Sequence, residues 1–424
     1  MQFDLMRETA IRWSAPDPSH VPLLREGGIT AVVAARNESF EKACLAAGIR
    51  VIFEEQVQTL GLHEVGKAKP GVTALVKAGL WPGVRGRDPS VASATRSIWI
   101  DQNCHLIGYL RALHPGQPAL LGYLPDSDAG VQEGRVIRFE SLELALTEAW
   151  VTGGNYVMSL GTRLRDALLK GAPDALAAWR TLGRTAQWLR DNIALFRQPV
   201  LPIVTVLVDE NESALEIANL SYRNNVSPAL AAATNPPAAD PRRRLVLVAA
   251  GIDAPKGEAR RRILAHAEAG AIVVADEPGD KAWWRTPGLK AVRSDPDRQF
   301  FSIGKGQVVS YKEPVTDPGE LALDLIDIVG QKRRPARIWN CQAGVVLAKL
   351  APRAGPVTGA AALHVINYGQ PVDLPVLARI QGNFTQATLL RPDAQPLRVR
   401  VARRGTSSEV AIPQLGRVAT VVFN

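Results

Sequence analysis

The chain has 424 residues, 46% hydrophobic and 21% charged, with a net charge of +9, which is long enough for two or three domains that each bury a core. No apolar run approaches the ~20 residues that span a bilayer, and the opening Met1-Gln2-Phe3-Asp4-Leu5-Met6-Arg7-Glu8 lacks the basic and apolar regions of a secretory leader. That pattern is expected of a cytoplasmic chain or of one whose leader was removed, and no membrane partner is expected. The basic runs Arg242-Arg243-Arg244, Arg260-Arg261-Arg262 and Lys332-Arg333-Arg334 carry no interleaved aromatics, so nucleic acid is disfavoured and no nucleic-acid partner is expected.

In chain order, short β-like runs alternate with helical stretches over residues 1–198, as in a parallel α/β sheet or barrel. The predicted strands are residues 3–6, 30–34, 50–53, 73–76, 97–100, 119–123 and 156–160, with a weaker one at 135–139. Eight strands in this length predict a (β/α)8 barrel, with a doubly wound sheet as the alternative. Residues 141–151 place Leu142, Leu144, Ala145, Ala149 and Trp150 on a helical stripe, closed by Gly153-Gly154. Residues 174–196 form a long helical stretch that ends the unit.

A second α/β unit spans residues 199–335. The nearly continuous apolar run 201–208 suits a strand covered on both faces. Residues 245–250 and 271–275 are two more strands, and a helix over 258–269, closed by Gly270, connects them. The last unit, residues 336–424, shows apolar alternation at period two in 363–368, 410–413 and 418–423, which predicts a small antiparallel β-sandwich. The fold class is therefore α/β, ending in an all-β module.

In this order the parts resemble glycoside hydrolases built like the bacterial family 42 β-galactosidases, which carry a barrel, a class I glutamine-amidotransferase-like (flavodoxin-like) α/β domain and a small sandwich. Residues 142–156, with Ala145, Ala149, Gly153 and Gly154, look like a late barrel helix and its Gly-Gly turn. Glu268-Ala269-Gly270-Ala271-Ile272-Val273-Val274 looks like the helix-to-strand signature of the middle domain. Leu363-His364-Val365-Ile366-Asn367-Tyr368 with Ala411-Ile412-Pro413 looks like the sandwich. The resemblance implies a carbohydrate partner and a glycosidase or glycosidase-derived binding protein that uses no cofactor. Amidotransferase chemistry needs a thiolate at a strand-to-helix turn. Gly251-Ile252-Asp253-Ala254 contains none, so a structural role, with homo-oligomerisation through this unit, is expected instead.

Glycoside hydrolysis needs two carboxyl groups, which in a barrel project from the C-terminal strand ends. Glu54, Asp101, Glu8, Asp126 and Glu140 fit that placement, as does Glu55, and helix capping or pairing with arginine is the structural alternative for each. Sugar binding needs flat aromatic faces and polar partners. Trp81, in a Gly-Leu-Trp-Pro-Gly loop, leads, with Trp13, Tyr123, Asn103 and Asn155. In the glycosidases this chain resembles, the acid/base glutamate follows an asparagine after the fourth strand. The Asn-Glu pairs here are Asn37-Glu38 and Asn211-Glu212, and neither falls there. The three cysteines are scattered without a CxxC pair, and the six histidines form no HxH or HExxH pattern, so no metal site is expected.

Overall fold

The computed structural model describes residues 4–84, 100–125, 137–241, 245–313, 315–330, 333–351 and 359–424. In the first unit, short runs of small and β-branched residues become strands covered on both faces. Ala31–Ala34 is buried at every position, as parallel sheets require. One parallel sheet takes the order Met158–Ser159, Ala10–Arg12, Ala31–Ala34, Arg50–Phe53, and a second takes the order Val57–Leu60, Thr73–Val76, Leu120–Leu121, Asn155–Tyr156. The chain runs from one sheet into the other at two places. A 3-10 turn, Glu54–Gln56, links Arg50–Phe53 to Val57–Leu60, and Val157 alone separates Asn155–Tyr156 from Met158–Ser159.

Two predicted strands are corrected, and a third, residues 97–100, falls mostly outside the described residues. Residues 3–6 are not the first strand. The Asp4 carboxylate accepts from the Met6 amide at 3.2 Å and opens a 3-10 turn at Leu5–Arg7, so the first strand is Ala10–Arg12. Of residues 97–100 only Ile100 is described, and Ile100–Asp101 pairs antiparallel with Gly83–Val84, outside the parallel sheets. Of residues 135–139, Phe139 is the first residue of the helix Phe139–Val151. The strand Val57–Leu60 was missed because Val-Gln-Thr-Leu has little apolar alternation.

The helix Phe139–Val151 is buried along almost its whole length and lies between the helix Pro173–Asp191 on one side and the C-terminal sheets on the other. It ends where Gly153 takes φ 85°, a conformation that strains other residues.

The second unit carries one sheet in the order Ala229–Ala232, Val204–Val208, Val246–Ala249, Ile272–Ala275, Gly306–Tyr311, all parallel, extended by the antiparallel strands Arg298–Ile303 and Ala291–Ser294. The parallel part has the 2-1-3-4-5 order of flavodoxin-like sheets. The helix Gly257–Ala269 stops at Gly270, which is left-handed at φ 116°.

The third unit consists of two antiparallel sheets. Ala336–Trp339, Val376–Gln381, Ser407–Ile412 and Val401–Arg404 form one, and Ala343–Lys349, Ala361–Asn367, Val418–Phe423, Ala387–Arg391 and Ala394–Val399 form the other. Val376, Ala378, Ile380 and Ile412 from the first share one core with Val345, Leu363, Leu389, Val421 and Phe423 from the second. Among the described residues no helix is long and apolar enough to cross a membrane.

Candidate functional site

Among the described residues, the C-terminal ends of the parallel strands carry Glu54, Glu55, Arg36 and Arg12. Glu54 follows Arg50–Phe53 and is exposed. Its neighbour Glu55 pairs with Arg36 from the next strand end, Nη2 to Oε1 at 2.5 Å, and the Arg36 guanidinium lies 4.0 Å over the Phe53 ring. Hydrogen bonding and the Arg36 charge hold the Glu55 carboxyl below its ordinary value, so it stays ionised. Arg12, at the end of the first strand, donates to Thr59 Oγ1 at 2.5 Å.

The other predicted carboxylates are placed differently. Glu8 precedes the strand Ala10–Arg12, at the end opposite the strand tips, and its carboxylate lies 3.4 Å from Arg50. The misplaced first strand put it on the wrong side. Glu140 occupies the first turn of the helix Phe139–Val151 and is exposed there, where an acid favours the positive helix end. Asp101 is 2% exposed, and Asp126 lies outside the described residues. The two Asn-Glu pairs open helices. The Asn37 side chain caps Glu38–Ala46 by accepting from the Phe40 amide at 3.1 Å, and Asn211 precedes Glu212–Arg223 as its N-cap.

The predicted sugar-binding aromatics are core residues. Trp13 and Trp81 are each 1% exposed and Tyr123 is fully buried. Trp81 packs edge-on against Tyr123 at 4.9 Å, and Tyr123 stacks on Tyr156 at 4.7 Å. Trp13 Nε1 donates to His20 at 3.3 Å. Asn155 is saturated by structural bonds: its Oδ1 accepts from Trp150 Nε1 and the Tyr156 amide, and its Nδ2 donates to the Leu5 and Glu8 carbonyls. Two buried donors in this region, Trp81 Nε1 and Ser159 Oγ, have no hydrogen-bond partner among the described residues.

Asn103 leads to a residue that sequence reasoning missed. It precedes the helix Cys104–Leu113, and its amide clamps Leu80, accepting from the Leu80 N–H at 2.7 Å and donating to the Leu80 carbonyl at 2.8 Å. The same Nδ2 reaches Glu148 Oε1 at 2.5 Å, while the Asn103 amide N–H donates to Glu148 Oε2 at 3.1 Å. Tyr368, from the third unit, donates its hydroxyl to the same Oε2 at 3.0 Å. Glu148 is 0% exposed. Burial pushes its carboxyl up to about 8, against the three donors that favour the charged form, and Asp101 nearby adds to the rise. Burial also pushes the Tyr123, Tyr368 and Cys104 groups around it well above their ordinary values.

The second unit closes this junction. Gln102 donates to Asn219 Oδ1 at 2.5 Å, and Tyr222, Arg223, Gly344 and Val345 complete a small enclosed void beside Tyr368. The sequence carried a signal for Glu148. It stands four residues after Leu144 and three after Ala145, on the apolar stripe of its helix, where an unpaired charge is costly.

Among the described residues no group of three or more His, Cys, Asp or Glu side chains could hold a metal ion. The turn Gly251–Ala254 of the second unit is tied by carboxylates, with the Gly251 amide donating to Asp276 and the Asp253 amide to Asp209, each at 2.7 Å.

No protein-family model and no curated protein sequence matches the chain. Solved structures do. An α-L-fucosidase, isoenzyme 2 from Paenibacillus thiaminolyticus, superposes with a TM-score of 0.61 at 9% identity, covering 99% of this chain and 100% of that one. The chain has a glycoside hydrolase fold. A β-galactosidase from Bacillus circulans sp. alkalophilus superposes with a TM-score of 0.53 at 13% identity; it covers 91% of this chain, which spans 65% of the β-galactosidase's length. The shared feature is the fold.

Proposed function

We propose that this chain is a glycoside-hydrolase-like protein that binds a carbohydrate without hydrolysing it. The observation that carries the reading is the fate of the acids among the described residues. The carboxyl of the first unit raised furthest, to about 8, is Glu148, which is sealed from solvent and committed to bonds with Asn103 and Tyr368 and so cannot serve as a general acid. Hydrolysis needs a second carboxyl ~5–10 Å away across an open pocket. Of the acids near the strand tips, Glu55 is spent on Arg36, Asp101 is buried, and Glu54 alone is exposed without an ion pair among the described residues.

The first unit is read as a (β/α) barrel. Its support is the run of parallel pairings that passes through residues 10–12, 31–34, 50–60, 73–76, 120–121 and back to 10–12 by way of 155–159. Among the described residues that path has six chain segments, against eight predicted strands. The carbohydrate is placed at the C-terminal strand ends, where Glu54 is exposed and offers an acceptor. The second unit, with no thiol at Gly251–Ala254, is assigned a structural, subunit-joining role.

The test is a panel of aryl glycosides assayed beside sugar binding to the same preparation. The expected result is binding with no turnover above buffer. Turnover that disappears in Glu54→Gln would overturn the non-catalytic reading.

A further inference from the structure

A crevice of about 480 Å³ opens between the helices Phe139–Val151 and Pro173–Asp191 of the first unit and the strand ends of the third. This is the size range of small-molecule sites, which favour the boundary between structural units. On the helical wall, Glu140 and Glu143 sit three residues apart and so share a face. Both line the crevice, as does Thr181. Arg391 and Arg417 line the opposite wall together with Gln414.

The walls are held in place on both sides. Arg184, on the helix Pro173–Asp191, pairs with Asp393 of the facing hairpin at 2.8 Å. Glu143 accepts from Thr185 Oγ1 at 2.6 Å and lies 4.0 Å from Arg417, with only 9% of its side chain exposed. Arg417 in turn donates to the Gly369 carbonyl. Arg391 donates one Nη to the Gln414 carbonyl at 3.0 Å, which aims its guanidinium, and it has no ion pair among the described residues. Glu140, opposite, is likewise exposed without an ion pair among them.

We infer that this crevice is a binding site for a neutral polyhydroxylated ligand of one or two sugar units. Two like carboxyls on one helix face repel, and burial together with the Glu140 charge raises Glu143. An anion would meet these acids, and a cation would meet Arg391 and Arg417. A hydrocarbon would desolvate all four groups without replacing their bonds. A vicinal diol satisfies both walls, because its hydroxyls donate to a carboxylate and accept from a guanidinium in the charge-assisted bonds that are the stronger kind. The site is separate from the strand-end site above and does not depend on it.

The full chain is titrated with lactose, cellobiose and L-fucose as probes, by calorimetry and ligand-observed NMR. Thr181→Trp fills the crevice from an exposed helix position, and Arg391→Ala removes the unpaired cation, so neither change touches the core. Binding of at least one probe is expected, weakened about tenfold or more by Arg391→Ala, as the loss of one to two charge-assisted bonds implies, weakened at least as much by the bulk of Thr181→Trp, and unchanged by Glu54→Gln. Binding of no probe, or binding that survives both crevice variants, overturns the inference. Binding lost in Glu54→Gln alone also overturns it and leaves the strand-end reading standing.

Discussion

Replacing Glu148 by glutamine should change how the stability of the protein depends on pH. In the fold, burial raises this carboxyl from its ordinary 4.5 to about 8. Between those values the folded chain holds a proton that the unfolded chain has released, so stability falls as pH rises. At about 1.4 kcal/mol per pH unit the full effect is roughly 5 kcal/mol. It is absent below pH 4.5 and complete above about 8. Glu148→Gln keeps the volume and removes the titration, at the cost of one mismatched donor against Asn103 or Tyr368, about 1 kcal/mol. Denaturant midpoints measured from pH 5 to pH 9 should therefore fall for the wild type and fall much less for the variant. The two curves should cross, with the variant the more stable at pH 9. Tyr368→Phe, which deletes the hydroxyl 3.0 Å from Oε2, should lower stability by about 1 kcal/mol and preserve the slope. Parallel curves for wild type and Glu148→Gln would refute the claim that a sealed, proton-holding acid joins the units.

Other outcomes follow from the same contacts. Asn155→Ala should cost roughly 3 kcal/mol, because it strands buried Trp150 Nε1 and two carbonyls; a melting temperature equal to wild type would contradict the structural role given to this residue. Burial holds His364 and His105 at about 3, below the ordinary 6.5, so stability is lost as pH falls below 6.5, where the unfolded chain takes the proton first. His364→Gln should make that acid-side loss shallower in denaturation curves from pH 7 to pH 4. Gly183→Ala should cost about 1–3 kcal/mol by calorimetry, since a Cβ there would sit 2.7 Å from the Glu26 carbonyl oxygen and 2.8 Å from the Gly27 carbonyl carbon.

The sequence by itself was enough for the elements whose signal is local. Arg50–Phe53 and Thr73–Val76 are short apolar runs between turn residues, and Gly270 closes its helix because only glycine takes φ 116° cheaply. The period-two pattern of 363–368 and 418–423 was legible for the same reason, since alternation records which face of a strand is dry. Placement across the fold was not legible. Glu8, Trp81 and Asn155 were plausible site residues until tertiary packing put the first behind its strand, the second among tyrosines and the third in a closed set of backbone bonds. Glu148 and Tyr368 stand 220 residues apart. Only the docking of the three units brings them together and excludes the water that would otherwise keep the carboxyl ionised. A carboxylate's chemistry is set by what surrounds it, and that environment is a property of the assembled fold.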